Sequence, residues 1–235
     1  MSGAFFGELY LRSTRPFLSD PVTEAEARFL RTNLPTTGRL LDLGCGHGRH
    51  LAQIPGTFGV DRDALSLVEA RAHGLVARSD FTRIPFKTAA FEGAWCWYNS
   101  LGTFEDDQVP VVLREVARCL EPGATLVIHG SNRQKAAAQP EAGYDGEIGG
   151  GDHLVEKALF NPKKKRDEIT RRLTCQDGRV LEASFFIRYY DLDEWRALLA
   201  EAGFQTRWCV GGIDGAALDD TSTDVIVGAQ RRFSE

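Results

Sequence analysis

The chain has no long apolar run, no paired-cysteine spacing and no excess of positive charge, and each absence removes a class of function. No stretch reaches the roughly 18 apolar residues of a membrane span, and the N-terminus MSGAFFGELYLRSTRPFL lacks a basic region followed by a long apolar core. Neither secretion nor membrane insertion is expected. The five cysteines, Cys45, Cys96, Cys119, Cys175 and Cys209, are odd in number and widely scattered, so neither a disulfide framework nor a zinc site is indicated, and a reducing cytoplasm fits best. A net charge of -5 argues against a broad basic face for nucleic acid. The one basic run, Lys163-Lys164-Lys165-Arg166, reads as a solvated hairpin tip. His47 and His50 flank Arg49, with Asp152 and His153 far along the chain; this pattern does not define a metal site. No internal repeat or low-complexity tract interrupts the chain.

What is present is an alternation. At 235 residues the chain suits a single domain with an insertion. Apolar strand-like runs at Leu40–Leu43, Gly56–Val60, Leu75–Arg78, Gly93–Tyr98 and Thr125–His129 alternate with helical patterns at His47–Gln53, Ala64–Ala72 and Asp107–Leu120. The expected fold is α/β, a parallel sheet with helices on both faces. In the third helix Val109, Val112, Leu113, Val116 and Leu120 recur at helical spacing, and Glu121-Pro122-Gly123 is the expected stop. Residues 131–152 read as a loop with room for a short helix. Leu154–Phe160, Glu168–Cys175 and Val180–Tyr190 read as three antiparallel strands inserted over the site. A helix at Leu192–Ala202 and strands near Gln205–Val210 and Asp224–Ala229 close the pattern.

The segment LLDLGCGHGRH, residues 40–50, carries the first chemical signal. A buried strand runs into Gly44-Cys45-Gly46-His47-Gly48, a turn whose glycines permit positive φ and close approach of a ligand to the backbone. A dinucleotide fingerprint needs its third glycine three places after the second; here Gly48 follows Gly46 by two and Arg49 holds the fingerprint position. No Lys-Ser or Lys-Thr pair completes a P-loop. Asp61 ends the second strand, where a carboxylate accepts from ribose hydroxyls. Asp80-Phe81 follows the third, where an acid accepts from an adenine amino group beside an aromatic ring. Strand-end acids often cap helices instead, but together these describe an adenosine site at the strand ends.

Asp42-Leu43-Gly44-Cys45-Gly46-His47-Gly48, Asp61, Asp80-Phe81 and the run Leu113 to Ala124, LREVARCLEPGA, resemble the class I S-adenosylmethionine-dependent methyltransferases, the last with Ala124 in place of a second glycine. SNRQ after strand five, the insertion and the helix DLDEWRALLAEAGF resemble a bacterial small-molecule branch; the resemblance spans about residues 38–230. It implies a Rossmann-like class I sheet within a single domain, 1–235, with residues 1–35 as an N-terminal helical lid and 131–190 as a three-stranded antiparallel cap. It also implies S-adenosyl-L-methionine as cofactor. Asp42 would position the glycine loop and the methionine ammonium, Gly44, Gly46 and Gly48 would form the loop, Asp61 would hold the ribose, and Asp80 the adenine amino group beside Phe81. Backbone of Tyr98-Asn99 would complete the methionine end, and Arg49 would either form a salt bridge near the first helix or face the cofactor carboxylate.

Methyl transfer from a sulfonium is an in-line displacement, so holding the nucleophile close and aligned supplies much of the catalysis. Where a base is used, His129 at the end of strand five is the candidate. Asn132 and Arg133 follow on the same loop as candidates to orient a polar or anionic substrate, balanced against a role in loop capping. Tyr10, with Phe5 and Phe6, belongs to a segment able to close over the pocket or to pack as an amphipathic helix. Phe185 and Ile187 alternate with Phe186 and Arg188, so one face of that strand lines the pocket and the other is core; Arg188 is counted with the substrate residues. Trp95, Cys96 and Trp97 fill the sheet faces. The expected partner is a small molecule, methylated on N or O, with no nucleic acid and no membrane. Two alternatives stay open, an aminopropyltransferase using Glu105-Asp106-Asp107 and a catalytically silent cofactor-binding regulator. A nucleic-acid methyltransferase is disfavoured, since Trp97-Tyr98-Asn99-Ser100 stands where N-P-P-Y would be.

Overall fold

In the computed structural model, which describes residues 5–233, the four residues of β1 (Leu40–Leu43) are all buried. Such a strand hydrogen-bonds on both edges and is covered on both faces. It pairs in parallel with β2 (Thr57–Asp61) and with β4 (Phe91–Cys96). β3 (Leu75–Arg78) lies outside β2, and β5 (Leu120–Ser131) lies beyond β4. β11 (Asp224–Arg231) enters antiparallel beside β5, and β10 (Phe204–Val210) forms the far edge. The order is β10-β11-β5-β4-β1-β2-β3. Strands added after β1 go outward one way as β2 and β3 and the other way as β4 and β5. That leaves a crevice at the C-terminal ends of β1 and β4, where open α/β sheets bind ligands.

Helices cover both faces. α3 (Arg49–Gln53) and α4 (Ala64–Ala70) connect the early strands, and α5 (Val109–Cys119) buries Val109, Val112, Leu113 and Val116 in the main core with α7 (Leu192–Glu201). α2 (Asp20–Asn33) packs Ala27 and Leu30 against Trp95 and Trp97 on the other face. α5 ends within one residue of the expected stop at Glu121-Pro122-Gly123. The helix finishes at Cys119 and the chain passes directly into β5, whose pairing with β4 slips between Phe91 and Gly93. That irregularity absorbs the Pro and the positive-φ Gly123.

The cap has four strands rather than the expected three. β6 (Glu141–Ile148), β7 (Asp152–Asn161), β8 (Arg166–Thr174) and β9 (Val180–Arg188) form a separate antiparallel sheet, preceded by the short α6 (Arg133–Ala138). β6 escaped the sequence pattern because EAGYDGEI is acidic, contains two glycines and is exposed along most of its length. An edge strand held mainly by backbone bonds to β7 needs no apolar alternation. The cap's core includes residues from the N-terminus: Phe5, and Leu9 of α1 (Glu8–Thr14), pack with Leu154, Ile169, Leu173 and Phe185.

Candidate active site

The turn after β1 is built around the end of β2. Gly44 and Cys45 both donate N–H to Val60 O, at 2.8 and 3.1 Å. Gly46 N–H reaches the Asp61 carboxylate at 2.8 Å, and the other Asp61 oxygen takes Asp63 N–H at 2.8 Å. All three loop glycines have positive φ, but they serve different ends. A Cβ on Gly44 would come within 2.9 Å of Ser100 Oγ, and one on Gly48 within 2.8 Å of Ala70 Cα. A Cβ on Gly46 would meet nothing within 4 Å. Gly46 therefore faces open space, whereas Gly44 and Gly48 let the loop pack against its neighbours.

Beneath this turn lies an unusual carboxylate. Asp42 is buried and its Oδ2 has no hydrogen-bond partner, with His50 Nδ1 3.9 Å away. Burial, abetted by the charge of Asp61, pushes its pKa up to about 8. Arg49 does not neutralise Asp42 by contact: its guanidinium pairs with Glu26 of α2 and reaches Thr23 Oγ1 at 3.3 Å. Burial opposes ionisation of Glu26, but hydrogen bonds from His50 and Arg49 hold it down at about 2. Across the crevice Tyr98 and Asn99 take left-handed φ of 55° and 60° at the end of β4, a strained backbone of the kind concentrated at functional sites. Asn99 ties this turn to β5, donating to Ser131 Oγ at 2.9 Å and accepting from Ser131 N at 2.7 Å.

The crevice continues into a cavity of about 660 Å³ roofed by the cap, within the usual size for a small-molecule site. Every cap residue lining it obeys the two-residue period of a strand: Ala142 and Tyr144, Leu154, Glu156 and Ala158, Asp167, Ile169 and Arg171, then Phe185, Ile187 and Tyr189. Glu156 and Arg171 stand opposite one another in register and form an ion pair. Arg171 also donates to Ser13 and Thr14 at 2.9 and 2.8 Å, which anchors the end of α1 over the cavity. Arg12 grips Asp152 with two hydrogen bonds of 2.7 and 2.6 Å, and Phe5 stacks on Phe185 with ring centroids 3.6 Å apart. On the main sheet His129 and Asp224 complete the wall.

With this geometry in hand, comparison places the chain. Residues 40–123 match the family model described as a methyltransferase domain. Among curated proteins, none matches the chain in sequence. Among solved structures, the chain is similar to the CcbJ methyltransferase from Streptomyces caelestis, with a TM-score of 0.77 at 18% identity over 92% of this chain and 93% of that one. An S-adenosylmethionine-dependent methyltransferase from Clostridium acetobutylicum gives a TM-score of 0.78 at 15% identity over 97% and 98%. An amino pentose methyltransferase from Micromonospora echinaspora involved in calicheamicin biosynthesis gives 0.66 at 17% identity over 96% and 98%. At such identities the likeness is one of fold, and the fold is that of the class I methyltransferases.

Within this methyltransferase fold the residues singled out from the sequence divide. Gly44, Gly46, Asp61, Tyr98, Asn99, His129 and Tyr10 line the cavity, and Asp42 lies in a small recess opening beside it, shared with Tyr10, Gly44, Gly46 and Tyr98. Gly48 sits behind the loop against α4. Asp80 is exposed and accepts Thr82 N–H and O–H at 2.9 Å each. Phe81 is buried beneath Gly44 and against Phe104, so it supports the loop instead of flanking an open face. Three substrate candidates are corrected. Asn132 caps α6 and donates to Asp219 O at 2.9 Å. Arg133 pairs with Asp191 and Glu194 at 2.8 and 3.2 Å. Arg188 is buried between Glu194 and Asp106, at 2.5 and 3.1 Å, on the face of β9 opposite Ile187. None of the three lines the cavity. The sequence reading missed Glu156, Asp167, Arg171 and Asp224. The first three were accessible from strand alternation in β7 and β8; Asp224 carried no signal beyond its place at a strand start.

Among the described residues no cluster suited to a metal is found, and no helix is long and apolar enough to cross a membrane.

Proposed function

We propose that the protein transfers the methyl group of S-adenosylmethionine to a small molecule held between the main sheet and the cap. The observation that carries this reading is the orphaned Asp42 Oδ2 under a glycine turn whose Gly46 faces open space. A buried carboxylate oxygen without a partner is costly unless a ligand supplies one, and the ammonium of the cofactor's methionine portion has the right charge. When bound, S-adenosylmethionine supplies an electrophilic methyl group on a sulfonium.

The chain's own residues then have distinct tasks. Asp61, whose pKa burial raises despite its backbone donors, accepts from the ribose hydroxyls. Asp80, one strand over, is the acceptor proposed for the adenine amino group. The Tyr98-Asn99 turn forms the opposite rim at the methionine end. Phe5, Phe6 and Tyr10 exclude water from above, and the aromatic and aliphatic cap face holds the acceptor skeleton. The enclosure favours a metabolite over a polymer, and the amino pentose specificity named for one structural neighbour is of that size class.

The test is titration of wild type and Asp61→Ala with S-adenosylhomocysteine. Loss of about 1–3 kcal/mol of binding is expected from removing charge-assisted hydrogen bonds; unchanged affinity would remove Asp61 from the site.

A further inference from the structure

The lining of the whole cavity contains six carboxylates, and four are already committed. Glu26 is paired with Arg49 and His50, Glu156 with Arg171, Asp61 takes two backbone N–H groups, and Asp63 caps α4 through Leu65 and Ser66. Asp167 accepts only the Tyr189 hydroxyl, at 2.7 Å, and burial raises its pKa. Asp224 takes the Thr223 hydroxyl at 3.1 Å and faces His129 Nε2 at 3.4 Å. Against these two carboxylates the cavity wall offers no cation but Arg171, which is spent on Glu156 and α1, and the imidazole of His129.

The orientation of that imidazole decides its role. His129 lies stacked on Trp97, ring centroids 4.6 Å apart. Its Nδ1 is buried without a partner, and Nε2 is the nitrogen that faces Asp224. A base must present a lone pair to the substrate, which here would put the proton on Nδ1 and leave a buried N–H unpaired, the more costly arrangement. With the proton on Nε2, His129 instead donates toward Asp224 and fixes it. Asp224 borders both the cavity and a surface crevice formed by the largely exposed 211–223 segment, so it lies between the reaction space and solvent.

We infer that the methyl acceptor is an amine whose ammonium docks on Asp224, with His129 as the positioning residue for that carboxylate. This inference rests on the methyltransferase reading above. The ammonium gives one proton to Asp224, which releases it to the outer crevice. The neutral nitrogen then attacks the sulfonium methyl carbon: the N–C bond forms, the C–S bond breaks, and its electron pair leaves with sulfur. The products are the methylated ammonium, neutral S-adenosylhomocysteine and one proton in solvent.

The test measures binding to the S-adenosylhomocysteine-loaded protein by calorimetry, using two pairs that differ only in amine against hydroxyl: tyramine with tyrosol, and glucosamine with glucose. In at least one pair the amine is expected to bind about tenfold more tightly, as a charge-assisted bond requires. D224N should erase the preference while keeping S-adenosylhomocysteine affinity within about twofold of wild type, and D224E should restore part of it, separating loss of charge from loss of fold. His129→Gln should shrink the preference while D167N leaves it larger than D224N does. S-adenosylhomocysteine binding with no amine preference in either pair, or a preference that survives D224N, overturns this assignment alone. Failure of S-adenosylhomocysteine to bind overturns the methyltransferase reading and this assignment together.

Discussion

The two walls of the cavity are made in different ways. The wall proposed for the cofactor comes from short contiguous pieces at the ends of β1, β2 and β4, and much of its chemistry is backbone: positive-φ glycines, N–H groups aimed at Asp61, and the left-handed Tyr98-Asn99 turn. The cap wall comes from side chains far apart in sequence, joined by strand register and by α1, as in the Glu156–Arg171 and Arg12–Asp152 pairs. A backbone-built site tolerates little substitution at its turns, whereas a side-chain-built wall can change its ligand through individual residues. The first therefore reads as a cofactor seat common to a fold and the second as the source of specificity.

The sharpest break in that comparison is Gly44→Val. A β-branched residue at φ +82° with Ser100 Oγ within 2.9 Å of its Cβ should cost about 3 kcal/mol in S-adenosylhomocysteine affinity. Retained affinity would mean that the turn is not the cofactor seat. Phe185→Ala on the opposite wall removes the stack under Phe5 and should raise the acceptor KM about tenfold with cofactor affinity little changed. A parallel loss of cofactor affinity would erase the distinction between the walls.

Asp42 sharpens the comparison through protons. An exposed aspartate ionises near 3.8, while burial holds Asp42 protonated in the fold up to about 8. Between those values the folded chain binds the extra proton, so this group's contribution to stability is complete below pH 3.8 and is lost as pH rises toward 8. Asp42→Asn should flatten that slope in thermal unfolding between pH 5 and 8. Binding of the cofactor's ammonium should release a proton near pH 7, seen as a buffer-dependent calorimetric enthalpy in wild type and absent in the variant. A slope that persists in the variant would assign the effect elsewhere. The smallest change is expected at Arg133, the residue whose sequence position suggested substrate binding: Arg133→Ala should leave kcat/KM within about twofold and cost at most about 1 kcal/mol in denaturant unfolding, because its ion pairs are partly exposed.

This division also governs what could be read without a structure. The strands, their order of appearance and the glycine turn were legible because buried parallel strands and positive-φ turns leave local marks, as in Leu40–Leu43 and Gly44 to Gly48. β6 left none, since its register with β7 rests on backbone bonds. Asn132, Arg133 and Arg188 were misread because a polar residue near a strand end looks the same whether it faces a cavity or an ion partner distant in sequence, such as Glu194. Asp224 needed the tertiary structure, which alone brings the start of β11 beside the end of β5.

Side-by-side calorimetric titration of the purified protein with S-adenosylmethionine, S-adenosylhomocysteine and NAD tests the central claim most directly. Binding of the first two at about micromolar Kd with no heat from NAD is the predicted result. Binding of NAD alone would contradict it, and the roles of Asp42, Asp61 and the glycine turn would fall with it.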